Sequence, residues 1–205
     1  MQIRIKDDTV EIEGYVNAVE RNSKPLLSRI GQFIERICKG AFFNALKRNE
    51  DVHILLNHDW SRDLGSTSEG NLELTEDSIG LYARAIITDS EVAEKGRNGD
   101  LVGWSFGFFD VPDGVEEGFD EETKLPLRKV RDLDLKEVSI LDRTKTPAYD
   151  GTLIMARDNE TMFVSEMMED TVEVTEETRE SEQPEAVEID YSIYEDMIKK
   201  MKEEE

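Results

Sequence analysis

The sequence has little cysteine and little histidine, and it contains no long apolar run. The single cysteine, Cys38, cannot form an internal disulfide, and one cysteine with two histidines supplies too few ligands for an ordinary structural zinc site. No apolar run reaches the roughly 20 residues that a membrane-spanning helix needs. Residues 1–8 also lack the apolar stretch of a signal peptide. We therefore expect a soluble, non-secreted protein that has no metal, no cofactor and no membrane partner.

Basic residues are also scarce, with 25 Lys and Arg against 48 Asp and Glu and a net charge of -23. Duplex DNA would be repelled by such a chain, so no nucleic-acid partner is expected. Residues 158–205 hold 18 of the acids and only 4 of the bases. The composition predicts three parts: a domain over residues 1–157, a disordered acidic linker over 158–190, and a short amphipathic helix over 191–205.

The first part of the chain mostly alternates apolar and polar residues, which is typical of half-buried strands. Hairpins are predicted with turns at Asp7–Asp8 and Glu76–Ser78, and further strands at Val52–Leu56, Trp104–Val111 and Lys129–Leu141. Helical spacing instead predicts helices at Lys39–Arg48 and Ser90–Arg97, the second with Ser90 as its cap. Loops are expected at Asp59–Asp63 and Pro112–Pro126. The expected fold class is mainly β with a few helices (α+β).

A serine motif is the first chemical signal in the chain. Gly103–Gly107 reads G-W-S-F-G and so matches the nucleophile elbow of α/β-hydrolases. That fold requires a histidine after the serine, whereas His53 and His58 both precede Ser105. The aromatic stretch that follows Ser105 also favours a strand over the helix that an elbow must enter. The sequence therefore predicts a serine nucleophile on a strand.

A serine hydroxyl needs a base within hydrogen-bond reach, and a third group commonly orients that base. His58 follows a predicted strand and precedes a polar loop, which favours it as the base. His53 begins the same strand among apolar neighbours, and a structural or surface role is the simpler interpretation for it. In a regular strand, the two histidines would lie on opposite faces.

The third member has three acidic candidates on one predicted strand. Glu137 would share its face with Leu135 and Ser139, while Asp134 and Asp142 compete for the same role. The simpler alternative is that these acids form a solvent-exposed face of the strand and have no catalytic role. A cysteine enzyme built on Cys38 and His58 is a further alternative, because the start of a helix near Cys38 would lower the pKa of its thiol.

Three segments together resemble a known family. Leu56–Asp59, Gly103–Phe108 and Glu137–Leu141, the last followed by Thr146–Ala148, are similar in order and spacing to the prohead maturation proteases of tailed bacteriophages. The resemblance covers roughly residues 10–156. It implies a serine endopeptidase related to the assemblin-type capsid proteases of herpesviruses, with a β-barrel surrounded by a few helices.

The resemblance also implies roles for particular residues. Ser105 would be the nucleophile, His58 the general base, and Glu137 the residue that orients the imidazole. Backbone N–H groups, those of Phe106 and Gly107, would hold the oxyanion, with Arg143 adding positive charge.

The same resemblance implies a biological setting. The enzyme would cleave the major capsid protein and its scaffolding segment inside the immature, portal-containing prohead in the host cytoplasm. It would also cleave itself near Met155–Asp158, and a homodimer is left open because the herpesvirus relatives are activated by dimerisation. The alternative is a non-catalytic acidic scaffolding module with the same fold.

Overall fold

The computed structural model describes residues 1–28, 31–49, 51–144, 155–157, 160–165 and 172–176. The helices are α1 (Ala41–Arg48) and α2 (Ser90–Arg97). The strands are β1 (Gln2–Lys6), β2 (Thr9–Ala18), β3 (Leu26–Ser28), β4 (Gly31–Ile37), β5 (His53–Leu56), β6 (Asp59–Ser66), β7 (Leu72–Glu76), β8 (Gly80–Thr88), β9 (Leu101–Asp110), β10 (Val115–Phe119), β11 (Pro126–Val130), β12 (Leu133–Asp142), β13 (Met155–Arg157), β14 (Glu160–Ser165) and β15 (Glu173–Glu176).

These strands form three sheets, which confirms the mainly β fold with helices. The strand orders are β15-β1-β2-β8-β7, β10-β11-β4-β3 and β13-β14-β9-β12-β5-β6. The expected closed barrel is not found in the described part of the chain. Closure requires the two outermost strands of one sheet to pair, and β13 and β6, the outermost strands of the largest sheet, do not.

One contiguous apolar core lies under the strands and both helices. The predicted hairpins β1–β2 and β7–β8 are confirmed, and they join through the β2–β8 ladder. Ile5, Ile12 and Phe42 are fully buried in this core together with Trp104 and Ile140. The alternation of strand residues therefore acts as predicted, since one face of each long strand supplies the core.

Both predicted helices are confirmed, but their N-termini are set by residues that the sequence did not single out. Helix α1 begins after Gly40, which takes a left-handed φ of 91°. The Glu76 carboxylate accepts the N–H groups of Gly40 and Phe43, each at 2.6 Å. Helix α2 is capped by Asp89, whose carboxylate accepts the Val92 N–H at 2.9 Å, so the prediction of Ser90 as the cap was wrong.

Three predicted boundaries differ from the structure. The Asp59–Asp63 segment, expected to be a loop, begins strand β6, and Pro112–Pro126 contains strand β10. The single strand expected over Lys129–Leu141 is two strands in different sheets, separated at residues 131 and 132. Most of β10 is exposed, so it lacks the apolar alternation by which a strand is recognised.

Part of the segment predicted as a disordered linker forms strands. β14 pairs with β9, and β15 pairs in parallel with β1, with Val174 opposite Ile3. Pairing at a sheet edge uses backbone groups, and the side chains of β15 are all exposed, so a dense run of charges does not prevent it. The helix predicted over 191–205 and most of the acidic tail lie outside the described residues, and the domain boundaries stay predictions.

A β-bulge in β12 changes which residues face the core. Leu135 pairs with Phe108, but Glu137 pairs with Gly107, so Lys136 is an extra residue on β12. Leu135 and Val138 therefore share the core face, and Glu137 and Ser139 share the other. The expectation that Leu135 lies on the face of Glu137 was wrong, because the bulge shifts the alternation by one residue.

Candidate active site

Strand β9 carries Ser105 on a face made of small residues. Trp104, Phe106 and Phe108 alternate into the core, where Phe106 and Phe108 stack with ring centroids 5.7 Å apart. The opposite face then carries Gly103, Ser105 and Gly107. The G-x-S-x-G pattern is thus the alternation of a strand, and the prediction of a strand in place of a hydrolase elbow is confirmed.

His58 lies in a two-residue turn between β5 and β6. Asn57 and His58 both have φ near 59°, as a type I′ turn requires. The Asn57 N–H donates to the Ile140 carbonyl at 2.9 Å, and the Asn57 side-chain oxygen accepts the Asp142 N–H at 3.0 Å. A left-handed non-glycine residue costs about 1–2 kcal/mol. The two hydrogen bonds to β12 offset this cost, and they thereby stabilise the turn and the position of His58.

Glu137 is the carboxylate that meets His58. Its Oε1 lies 2.7 Å from His58 Nδ1, and its Oε2 accepts a hydrogen bond from the Ser139 hydroxyl at 2.6 Å. The Glu137 side chain is fully buried and that of His58 is 10% exposed. A buried carboxylate is costly unless its oxygens are hydrogen-bonded, and here each oxygen has a partner.

Ser139 links this carboxylate to the histidine turn, a role that was not predicted from the sequence. Its hydroxyl donates to Glu137 and also accepts the His58 backbone N–H at 3.1 Å. The one available signal was its position two residues after Glu137, which places both on the same face of a strand. The contact with the His58 backbone depends on the β5–β12 ladder and carries no local signal.

Ser105 lies directly opposite Ser139 in the β9–β12 ladder. Directly opposed residues on adjacent antiparallel strands have Cβ atoms about 4.5–5.5 Å apart. Ser105, which is buried, is therefore beside the hydroxyl that contacts both His58 and Glu137. Because a carboxylate only accepts, His58 donates through Nδ1–H, and its Nε2 carries a lone pair that can accept the proton of a serine hydroxyl.

The two competing acids are paired elsewhere. Asp134 forms an ion pair with Lys136 at 2.8 Å, and Asp142 forms one with Lys95 at 2.9 Å. Burial raises the pKa of Asp142, but hydrogen bonds from Thr144 and Lys95 outweigh it and hold that pKa below its usual range. Among the described residues, Glu137 is the acid in hydrogen-bond contact with the His58 ring.

His53 is held by a different set of side chains. Its Nδ1 lies 2.8 Å from Asp63, and its ring meets Trp60 edge-on at 5.3 Å. The parallel β5–β12 register pairs His53 with Glu137, so His53 and Glu137 share a face of the sheet. The expectation that the two histidines lie on opposite faces was wrong, because β5 ends at Leu56 and the turn redirects the chain before His58.

The roles expected for the Phe106 and Gly107 N–H groups and for Arg143 at the oxyanion stay predictions. Successive N–H groups of a strand point to opposite edges, so at most one of Phe106 and Gly107 faces the β14 side of β9. Arg143 is exposed, and its side chain lies 3.8 Å from Asp100. Asp100 precedes Ser105 by five residues, roughly 16 Å along an extended chain. The structure does not bring Arg143 to Ser105, and its role stays a prediction.

The cysteine alternative gains no support. Burial, followed by the nearby Glu20 carboxylate, raises the pKa of the Cys38 thiol. The expectation that a helix start lowers it was wrong, and a raised pKa disfavours the reactive thiolate. Within the described ranges, no three His, Cys, Asp or Glu side chains are grouped so as to hold a metal ion.

Comparison with protein families places the chain in one class, the serine proteases. The family described as caudovirus prohead serine protease matches residues 1–166. The match covers most of the chain, which therefore belongs to this family of phage capsid-maturation hydrolases. The resemblance drawn from three motifs is confirmed, and the non-catalytic alternative is not favoured.

Comparisons with curated proteins and with solved structures returned no significant match. The relation to the herpesvirus proteases accordingly stays a prediction. Neither helix in the described part of the chain is long and apolar enough to cross a membrane.

Proposed function

We propose that Ser105 is the nucleophile of this protease, that His58 is its general base and that Glu137 orients His58. The observation that carries the proposal is the 2.7 Å contact between His58 Nδ1 and a fully buried Glu137 oxygen. This contact leaves Nε2 as the acceptor on the His58 ring. Ser105 lies directly opposite Ser139, the residue that bonds to both Glu137 and His58, in the β9–β12 ladder.

The first chemical step is acyl transfer to Ser105. The hydroxyl oxygen attacks the carbonyl carbon of the scissile peptide bond while its proton passes to His58 Nε2. Glu137 stabilises the positive imidazolium, and a backbone N–H beside Ser105 stabilises the oxyanion. The intermediate collapses, the C–N bond breaks, and the imidazolium gives its proton to the leaving amine.

The second step returns the enzyme to its starting state. Water attacks the acyl carbon and transfers a proton to His58 Nε2, and that proton then passes to the departing Ser105 oxygen. The products are a carboxylic acid and an amine, and no cofactor is consumed. Ser139 and Asn57 act as positioning residues, because they hold the carboxylate and the turn without touching the reacting atoms.

The proposed substrates are the major capsid protein and its scaffolding segment, inside the immature prohead in the host cytoplasm. Membership of the prohead protease family supports this setting. Self-cleavage belongs to the same proposal. The cut expected near Met155–Asp158 would lie in β13 or directly after it, and β14 separates β13 from β9 in the strand order.

Mass analysis of the intact protein co-expressed with the capsid protein tests the assignment. Wild type should process the capsid protein, and Ser105→Ala should leave it uncut. The matched control is Ser61→Ala, since Ser61 is exposed and its hydroxyl donates to nearby Asp59. Processing that continues at the wild-type rate in Ser105→Ala would remove Ser105 from the mechanism.

A further inference from the structure

The outer edge of β9 meets a segment from the chain's own C-terminal part. β14 pairs with β9 in antiparallel fashion, with Met162 opposite Phe109 and Ser165 opposite Phe106. The other edge of β9 is occupied along its length by β12. β14 thus lies on the one edge of β9 that the β12 ladder leaves open.

The direction of β14 leads toward the proposed nucleophile. Because the pairing is antiparallel, β14 runs from Phe109 toward Phe106, and its described part ends one β9 residue short of Ser105. In the described residues, Leu101, Gly103 and Trp104 have a ladder partner on the β12 side alone. A peptide that pairs with β9 in the register of β14 and extends one residue further therefore passes beside Ser105.

The distance suits an attack on such a peptide. Paired strands lie about 4.8 Å apart, and the Ser105 side chain rises from the face that also carries Glu137. The flanking side positions on that face are Gly103 and Gly107, which add no side-chain bulk. A small movement of the Ser105 hydroxyl would therefore bring it close to a carbonyl carbon of the neighbouring strand.

We infer that this edge of β9 is the site that binds the substrate as an extended peptide, and that β14 occupies it as an internal competitor. The inference rests on the proposed function. The ligand class is an unfolded, strand-forming peptide whose residues before the scissile bond pair with Phe106–Phe109. Main-chain hydrogen bonds supply most of the affinity in strand addition of this kind.

An internal strand is a strong competitor because it is tethered. Short linkers give effective concentrations of the order of millimolar, so an external peptide meets an edge that is already filled. Displacing β14 should lower the apparent KM for an external peptide by about tenfold or more and leave kcat unchanged. The full chain is thus expected to cleave slowly in trans until β14 is displaced.

The test uses a fluorogenic peptide with the sequence of residues 151–161, which spans the expected self-cleavage segment, and the purified full-length protein. Phe163→Pro/Val164→Pro removes successive N–H groups of β14, one of which faces β9. The predicted result is the tenfold lower KM at constant kcat. The control is Glu188→Pro, a proline in the acidic tail, which should leave KM at the wild-type value.

A reversible lock gives a second measurement that does not depend on the proline variant folding. Phe109→Cys/Met162→Cys, in a Cys38→Ser background, joins two directly opposed positions. Oxidation should raise the KM for the peptide at least tenfold, and reduction should restore it. Labelling of Ser105 by a small fluorophosphonate reports whether the serine is reactive.

The outcomes separate the two proposals. Absence of labelling in wild type would overturn the assignment of Ser105 as nucleophile. Normal labelling, with a KM that neither the prolines nor the lock changes, would overturn the inference and leave β14 as a structural strand.

Discussion

Replacing Glu137 with glutamine should slow the reaction of Ser105 by about 10³- to 10⁴-fold. Glutamine has almost the same shape, so it fits the fully buried position of Glu137. However, it offers one acceptor and one donor to two partners that both donate, His58 Nδ1–H and the Ser139 hydroxyl. The substitution therefore tests the charge and the tautomer of His58 with little change in packing.

The magnitude follows from the geometry of the pair. The charge centres of an imidazolium and a carboxylate in hydrogen-bond contact are about 4 Å apart, which gives about 4 kcal/mol at an effective dielectric constant of 20. Each 1.36 kcal/mol is a factor of ten in rate, so loss of the carboxylate charge alone accounts for about 10³. If the amide N–H of the new glutamine also faces His58 Nδ1, the ring proton moves from Nδ1 to Nε2, and Nε2 can no longer accept the serine proton. The loss of rate then approaches about 10⁴-fold.

The assay is the rate at which a fluorophosphonate labels Ser105, followed by intact mass, because it requires no knowledge of the natural substrate. Asp134→Asn is the matched control, since it removes a carboxylate charge from the same strand where the partner is Lys136. It should label at the wild-type rate. A Glu137→Gln enzyme within tenfold of wild type, or an Asp134→Asn enzyme equally slowed, would refute the reasoning.

Three other perturbations have distinct expected outcomes. Ser139→Ala removes a hydrogen bond to a buried carboxylate, worth about 1.5–3 kcal/mol, so labelling should slow about 10- to 100-fold; Ser139→Thr should restore most of it, and equal rates in the two variants would contradict a positioning role. Burial raises the pKa of Glu35 from 4.5 to about 7, against the opposing Arg128 charge. The folded state therefore keeps a proton that the unfolded chain releases, and the free energy of unfolding should fall by about 3 kcal/mol as pH rises from about 4.5 to 7. Urea titrations should show this fall in wild type and not in Glu35→Gln, and a fall that persists in the variant would contradict it. Because the pKa of the Cys38 thiol is raised, iodoacetamide at pH 7 should leave activity intact, and inactivation would revive the cysteine alternative.

The features that sequence predicted well are those determined by neighbouring residues. Helix α2 matches its predicted bounds because its helical spacing lies within one short segment, although Asp89 and not Ser90 caps it. The β1–β2 and β7–β8 hairpins were predicted from alternation on both sides of a polar turn. In each case the local pattern and the final fold agree.

The features that were missed depend on distant partners. β10 is an exposed edge strand with no apolar period, and β15 is a charged segment that pairs only through its backbone. The cap of α1 is also distant, since the Glu76 carboxylate comes from β7. Nothing in the residues adjacent to these features predicts them.

The candidate site shows the same division. Ser105, His58 and Glu137 were singled out from three spaced motifs, and the structure brings together the two strands and the β5–β6 turn that carry them. The role of Ser139 depends on the register between strands, and was not predicted. Arg143 was chosen for its proximity in sequence to Glu137, but β12 carries it away from Ser105 toward Asp100.

The bulge at Lys136 is a position at which β12 can change its length without changing its faces. Deleting this residue would restore a regular ladder and keep every existing pair, because Leu135, Glu137 and Val138 would then alternate directly opposite Phe108, Gly107 and Phe106. Leu135 would stay in the apolar core, and Glu137 and Ser139 would stay on the site face. Both substitution of the half-exposed Lys136 side chain and its deletion should therefore be tolerated, whereas deletion of Val138 would exchange the faces on one side of the break and should inactivate the enzyme. A sequence alignment that opens its gap at Lys136 would accordingly keep Glu137 paired with the matching acid of a relative that has no bulge.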